Sequence, residues 1–514
     1  MIEYSRSINK TLYCAFIDLS KAYDMVNRDY MIRKLINNGI QGKFINIIKS
    51  MYTNTKAYIR YNGLKSNQFT TDIGIKQGCN VSCLIFAIYL NDLEYTLKNR
   101  NCKGITIKDT DEQHIMLQLC SLLYADDTII MSHDANDLQY SLQIYTEYCN
   151  KWNLKINTEK TKIMIFGKNK QKRKFTINGN DIEKVNSFKY LGLVFSKNGK
   201  YTNGIKHNIE KAKKASFAIL RRSKQLNLSI SCQLHISETI IKPILLYGCE
   251  IFCHENLTLI DTFYTQILKR ILCVNKNTPR YMIFGETGCT PPSIDIKKRA
   301  LSFWIKRKNS LAEICQNIIH KYDGKNNNYS SYLQFIRSSF DNLGLSYIFE
   351  KRTTSDDTMI SIKLLKKRIK DIFIQTWLQE INQSPKSLFY KLIKTEFCFE
   401  TYLDKLTINN RITLTKFRLS NHKLPVETGR WINIKRELRV CPLCNVNAFG
   451  DEFHYICECT VLNEERKLYI KQYYYKRPNV HKLMELFNTE NKNTLTRLCI
   501  FIKIINKKLE TINQ

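Results

Sequence analysis

The chain has 514 residues, 43% of them hydrophobic, and carries 80 Lys and Arg against 46 Asp and Glu, a net charge of +34. That length and apolar content suit about two to four globular domains with a large buried core. No apolar run approaches the roughly 18 residues of a membrane span, and Met1 to Lys10 is too polar for a signal peptide. The 18 cysteines lie scattered in apolar segments (Cys14, Cys120, Cys273, Cys398), which argues for free thiols in a reducing compartment and against a disulfide scaffold. The charge points to a polyanionic partner. Part of it has a second source, because Lys, Asn and Ile are all abundant and share A/T-rich codons.

In chain order, Tyr13 to Ile17 is a short apolar run suited to a buried strand, and Asp18 ends it. Lys21 to Leu35 reads as a helix with Ser20 as its N-cap. Ala57 to Tyr61 runs into Asn62-Gly63, and Phe175 to Ile182 contains Asn178-Gly179. Both pairs predict type I′ hairpins, since each central residue tolerates positive φ. Leu119 to Leu123 and Thr128 to Met131 are apolar runs on either side of Tyr124-Ala125-Asp126-Asp127, a hairpin with two carboxylates at its turn. Asn136 to Asn153 is helical. An antiparallel sheet backed by helices follows, which is α+β.

Further on, Lys168 to Lys174 is a basic loop, either a nuclear-import or phosphate-contacting patch or simply a solvated run. Ile205, Ile209, Ala212, Ser216, Ile219 and Leu220 recur at helical spacing, with Lys206, Lys211, Lys213, Lys214, Arg221 and Arg222 between them. That helix packs on one side and offers cations on the other, toward solvent or a nucleic-acid backbone. Pro291-Pro292 marks a boundary, Asn326 to Ser330 reads as a surface loop, and Ile360 to Glu380 as a helix. Cys441-Pro-Leu-Cys444, His454 and Cys459 form C-x2-C-x9-H-x4-C, a ligand set suited to tetrahedral structural zinc. Cys457 competes for the fourth position.

Adjacent carboxylates repel by about 4 kcal/mol at 4 Å and an effective dielectric near 20. On an exposed turn, water absorbs that repulsion; in a cleft, Asp126 and Asp127 call for a cation. Mg²⁺ is the hard ion held by one or two carboxylates plus substrate phosphates. Asp18, at the end of a strand, is placed to supply a third carboxylate, and three carboxylates around divalent ions suit phosphoryl transfer.

Phe16-Ile-Asp-Leu-Ser-Lys-Ala-Tyr-Asp24 followed by Tyr124-Ala-Asp-Asp127 resembles a reverse transcriptase of the non-LTR (LINE-like) retrotransposon type. More of that pattern follows in order: Gly74-Ile-Lys-Gln-Gly-Cys79, Leu84 to Leu93, Leu154 to Lys162, Phe188-Lys-Tyr-Leu-Gly-Leu193 in the manner of a primer grip, and Tyr247-Gly-Cys-Glu250. The C-x2-C-x9-H-x4-C set, with Phe417 to Pro425 and Gly429-Arg-Trp431 before it, resembles the C-terminal region of the same elements. The resemblance implies that Asp18, Asp126 and Asp127 bind two Mg²⁺ ions. It places Tyr23 under the incoming sugar, Gln77 and Gly78 against nucleotide and template, and Lys160 near the departing pyrophosphate; Tyr23 as a core aromatic and Lys160 as a solvated charge stay open beside those roles. One structural Zn²⁺ on Cys441, Cys444, His454 and Cys459 would help grip RNA or target DNA, with Trp431 as a stacking surface.

The resemblance further implies a palm over 1–200, a helical thumb over 201–290, a mostly helical connecting region over 291–430, a zinc-knuckle-like module over 431–475 and a C-terminal helical tail over 476–514. Only 17 residues precede Asp18, so the basic fingers of the family are expected to be missing. The sequence then reads as the C-terminal part of a longer polyprotein or as a degenerate copy. The expected activity is RNA-directed DNA polymerisation, with an RNA template, a DNA primer or target and deoxynucleoside triphosphates as partners, no membrane, and a place in the nucleus and cytoplasm. The alternative is a catalytically inactive remnant that binds nucleic acid.

Overall fold

The computed structural model describes residues 1–108, 115–167, 173–307, 331–350 and 355–512. The chain forms two compact units, Met1–Gly204 with Arg307–Leu333, and Ile205–Lys306 with Gln334–Gln514.

The first unit is built on a four-stranded antiparallel sheet in the order Lys162–Phe166, Leu12–Ile17, Asp127–Ser132, Ser121–Tyr124. The Leu12–Ile17 strand is central and buried at every position. Its side chains alternate between two apolar clusters. Ala15 and Ile17 face one with Phe86, Tyr89, Leu138 and Tyr145 from the helices Asn80–Leu90 and Ala135–Lys151. Cys14 and Phe16 face the other with Ile129, Met131, Met164 and Phe188. Burial on both faces is why this strand reads as a continuous apolar run and not as an alternation. Beneath the first face, Lys34 is 4% exposed, ion-paired to Asp92 at 2.6 Å, with its ammonium 3.8 Å from the Trp152 ring centroid. Burial pulls that ammonium down to about 8 against the Asp92 charge.

Both predicted Asn-Gly turns are present. Asn62 and Gly63 have φ of 45° and 83°, Asn178 and Gly179 51° and 78°, and each pair closes a hairpin, Tyr61 opposite Leu64 and Ile177 opposite Asn180. The helix expected over Asn136 to Asn153 is Ala135–Lys151, capped by the Asp134 carboxylate. The helix expected over Lys21 to Leu35 is shorter, Arg28–Asn37, and its N-cap is Asn27, not Ser20. Tertiary hydrogen bonds displace its first turns. Ser20 N–H donates to Lys155 carbonyl, while the carbonyls of Tyr23 and Val26 accept from Ile75 and Gly74 N–H. Lys21, at φ 48°, turns the chain to meet them.

The second unit is helical. Its first helix, Thr202–Gln225, buries Ile205, Ala212 and Ser216 and exposes Lys206, Lys211, Lys213, Lys214, Arg221 and Arg222, as the spacing predicts. Pro292 opens the helix Pro292–Arg307, and Ile360 to Glu380 lies inside Ser355–Gln383. The expected loop at Asn326 to Ser330, and Lys168 to Gln171 and Lys172 of the basic run, lie outside the described residues. Lys174, at the end of that run, pairs with Asp181 at 2.6 Å.

Candidate metal-binding active site

Ile17 pairs with Thr128 across antiparallel strands, so Asp18 and Asp127 leave the sheet at the same end. The hairpin between Ser121–Tyr124 and Asp127–Ser132 closes with Tyr124 opposite Asp127, leaving Ala125 and Asp126 as a two-residue turn. Ala125 takes φ 53°, a left-handed conformation uncommon for a residue with a Cβ. Backbone strain of this kind clusters at active sites and ligand clamps. Asp127 is partly buried. That burial, then the charges of Asp126 and Asp18, raises its carboxyl above the ordinary 3.8. Asp127 thus lies within electrostatic reach of both Asp126 and Asp18, a crowding of like charge that a bound cation relieves.

The backbone of Asp18 is fixed by the segment that follows the helix Ala135–Lys151. Asp18 N–H donates to the Thr161 hydroxyl at 3.3 Å, Asn157 N–H donates to the Asp18 carbonyl at 2.9 Å, and Leu19 bridges Ile156. This brings Lys160 alongside, its ammonium 3.8 Å from the Asp18 carboxylate and its side chain 71% exposed. Tyr23 stacks on Phe86, with ring centroids 4.8 Å apart and planes 14° from parallel. Its hydroxyl is pushed up to about 12 by burial, a hydrogen bond with Cys83 and the charge of Asp126. Tyr23 therefore packs against the core and also faces the acidic cluster.

Gln77 is exposed and its amide donates to the Asp24 carboxylate at 2.9 Å, which ties it to the strand-end motif. Gly78 is exposed at φ 80° with open space where a Cβ would sit. Gly74 is more constrained: at φ 84° a Cβ would lie 2.9 Å from the Asp24 carbonyl oxygen, so only glycine lets these two segments meet. The Ser187–Tyr190 and Leu193–Ser196 hairpin closes the other side. Phe188 and Tyr190 lie 4.8 and 5.4 Å from Phe16 between ring centroids, and the Tyr190 hydroxyl is raised to about 12 by burial and the Asp127 charge.

In the second unit, Cys441, Cys444, His454 and Cys459 are buried, with ligand atoms all within 4.8 Å of one another. The Cys441 and Cys459 sulfurs are 4.0 Å apart, and Cys444 sulfur is 3.4 Å from His454 Nε2. With metal–sulfur bonds of about 2.3 Å and metal–nitrogen bonds of about 2.0 Å, a tetrahedral ion spaces its ligands by roughly 3.5–3.8 Å. The donor set fits such an ion and leaves no ligand position open. Cys457 is buried outside this group. Arg466 props the His454–Cys459 turn, donating to the carbonyls of Ile456 at 2.9 Å and Cys459 at 2.8 Å.

Residues 2–195 match the family described as reverse transcriptase (RNA-dependent DNA polymerase). They are a reverse transcriptase domain. The chain is similar to the RNA-directed DNA polymerase from mobile element jockey of Drosophila melanogaster, 23% identical over 283 residues, 52% of this chain and 29% of that protein. It is also similar to the Pol polyprotein from the type-1 retrotransposable element R2 of Popillia japonica, 27% identical over 262 residues, 48% of this chain and 40% of that protein. A third relative is the probable RNA-directed DNA polymerase from transposon X-element of Drosophila melanogaster, 24% identical over 277 residues, 50% of this chain and 28% of that protein. All three are named as proteins of mobile or retrotransposable elements. The chain spans well under half the length of each. A solved structure of telomerase from Candida albicans in complex with a fragment of telomeric RNA aligns at a TM-score of 0.30 and 12% identity, over 66% of this chain and 53% of that one.

Two residues that shape the reverse transcriptase domain and the second unit, Arg28 and Arg418, have no role assigned by the sequence. Arg28 donates to the carbonyls of Tyr52 and Gly74, each at 2.9 Å, and so holds the segment that delivers Gln77. Arg418, inside the Phe417 to Pro425 stretch, is fully buried and pairs with Glu286 at 3.1 Å and Glu400 at 3.0 Å. That stretch is therefore part of the unit's core at Arg418. Trp431 stays 60% exposed.

Proposed function

We propose that the chain works as an RNA-directed DNA polymerase of a non-LTR retrotransposon. The observation that carries this reading is the convergence of Asp18, Asp126 and Asp127 at one end of the central sheet. In this reaction a primer 3′-hydroxyl attacks the α-phosphorus of a deoxynucleoside triphosphate on an RNA template, and pyrophosphate leaves. Two Mg²⁺ ions held by these carboxylates would supply activation of the hydroxyl and neutralisation of the triphosphate. Lys160, exposed beside Asp18, offsets the charge that develops on the leaving pyrophosphate. Tyr23, fixed against Phe86, offers its ring as a floor for the incoming sugar. Gln77 and Gly78 lie open to solvent on the Asp24 side, where nucleotide and template would pass.

The Cys441, Cys444, His454 and Cys459 cluster holds one structural Zn²⁺ in this account, because three thiolates and an imidazole select it over harder ions. Its module, with exposed Trp431 nearby in sequence, contacts RNA or target DNA. Work on chromosomal DNA places the protein in the nucleus as well as the cytoplasm. The test is primer extension with Mg²⁺ on an RNA template, wild type against Asp126→Asn. Incorporation by the wild type and its loss in the variant is expected. Equal incorporation would remove the assigned site, and salt-sensitive RNA binding without any incorporation would reduce the chain to a binding protein.

A further inference from the structure

The helix Thr258–Leu272 of the second unit borders two hollows. The larger, about 1020 Å³, is lined by apolar Phe217, Leu220, Ile271 and Leu406 and by four cations, Arg221, Lys224, Arg270 and Arg411. Asp404 is the single acid in that lining, and its carboxylate already accepts from Ser231 N–H at 3.1 Å. Phe217 is 56% exposed, and the Arg270 guanidinium sits 5.4 Å from its ring centroid. The second hollow, about 580 Å³, shares Arg270 and adds Lys269, Lys276 and Arg280. Its one acid, Asp261, is held by Ser293, which donates from its N–H at 2.9 Å and its hydroxyl at 2.6 Å. Burial and the nearby charge of Lys386 lower the Lys269 ammonium below its ordinary value. Cations are crowded here with few anions between them.

An exposed aromatic ring beneath a guanidinium, apolar lining and a cationic rim are the parts of a stacking platform inside an electrostatic funnel. An uncharged peptide or lipid tail would cover the cations without supplying an anion, which is unfavourable. A hollow near the upper end of the ~300–1,000 Å³ of small-ligand sites admits a few nucleotides and not a duplex.

We propose that the two hollows form one path for an unpaired nucleic-acid strand, which crosses the Thr258–Leu272 helix at Arg270, stacks a base on Phe217 and sets its phosphates against Arg221, Lys224 and Arg411. The inference rests on the reading that the chain handles nucleic acid. It uses none of the acidic-cluster residues, and its test involves no polymerisation.

The experiment measures anisotropy of labelled 15-nucleotide RNA and DNA strands without self-pairing, and of a 15-base-pair duplex, on the full chain with no nucleotide or divalent ion present. Phe217→Ala should weaken single-strand binding roughly 10-fold, within the range of one lost base stack, and change duplex binding less than about 2-fold. Phe217→Trp, which keeps a stacking face, should bind as the wild type does. Arg221→Gln with Lys224→Gln should reduce the salt slope for the single strand by about 1.4, near 0.7 for each phosphate that is no longer neutralised. Equal losses on RNA and DNA support the assignment for either strand, and a loss on one alone supports it for that strand. Single-strand affinity unchanged in Phe217→Ala, an equal loss on the duplex, or Phe217-dependent binding of a polyglutamate peptide in place of the strand would overturn it. Strand binding that behaves as expected in a protein unable to extend primers would sink the polymerase reading and leave this one standing; extension with unchanged affinity in Phe217→Ala would do the reverse.

Discussion

Arg418→Met in the second unit isolates the contribution of a buried ionic network. Arg418 and Glu286 are both 0% exposed. The guanidinium also pairs with Glu400 and donates to the Phe487 carbonyl at 3.1 Å. In the variant, Glu286 keeps a hydrogen bond from the Tyr402 hydroxyl at 2.6 Å and loses its counter-charge. Leaving one buried partner uncompensated costs about 3–5 kcal/mol, and the orphaned Phe487 carbonyl adds about 1 kcal/mol. The expected loss is therefore about 4–6 kcal/mol. With a urea slope near 2 kcal/mol per M, the midpoint falls by about 2–3 M. Urea unfolding followed by tryptophan fluorescence reads this well, since Trp304, Trp377 and Trp431, three of the four tryptophans, belong to this unit. Adding Glu286→Gln removes the stranded charge and should restore about half of the loss. A midpoint shift under about 0.5 M in Arg418→Met, or no recovery in the double variant, would refute the reasoning.

Three further outcomes are expected. Purified protein should contain about one zinc per chain by elemental analysis, and Cys441→Ser with Cys444→Ser should contain none; retained zinc would move the site elsewhere. Lys34 has its folded value near 8 against an ordinary 10.5. Between those limits the unfolded chain binds the extra proton, so stability rises with pH there. The stability of wild type relative to Lys34→Met should climb by about 3 kcal/mol from pH 8 to pH 10.5 in urea titrations, and a flat difference would contradict the burial argument. The raised Asp127 carboxyl takes up its proton at higher pH than an ordinary carboxylate. Mn²⁺ binding, followed by loss of the free-ion resonance, should weaken on acidification already above pH ~4; affinity constant down to that pH would count against a shared site.

The legible parts of this protein were those set by short-range chemistry. Tyr13 to Ile17 announces a buried strand, Asn62-Gly63 and Asn178-Gly179 announce their turns, and the Lys-rich face of Thr202–Gln225 follows from spacing alone. The acidic tip was legible because two apolar runs frame it, and Cys441, Cys444, His454 and Cys459 because their donors lie close in sequence. What failed was long-range. The helix start at Lys21 is overruled by hydrogen bonds to residues 74, 75 and 155. Arg418 finds Glu286 across 132 positions, and Tyr190, packed on Phe16, feels the charge of Asp127 from a distant part of the sequence. No local pattern marks a buried charge whose partner lies so far away.

The most direct measurement of the central claim is single-turnover incorporation of one deoxynucleotide onto a DNA primer annealed to RNA, comparing Asp18→Asn and Asp127→Asn with Asp181→Asn. Asp181 is an exposed carboxylate of the same unit, paired to Lys174. The account predicts that both cluster variants lose about 10³-fold or more, the scale of roughly 4 kcal/mol of lost transition-state stabilisation, while Asp181→Asn stays within about 2-fold of wild type. Wild-type incorporation that survives loss of either cluster carboxylate would contradict it.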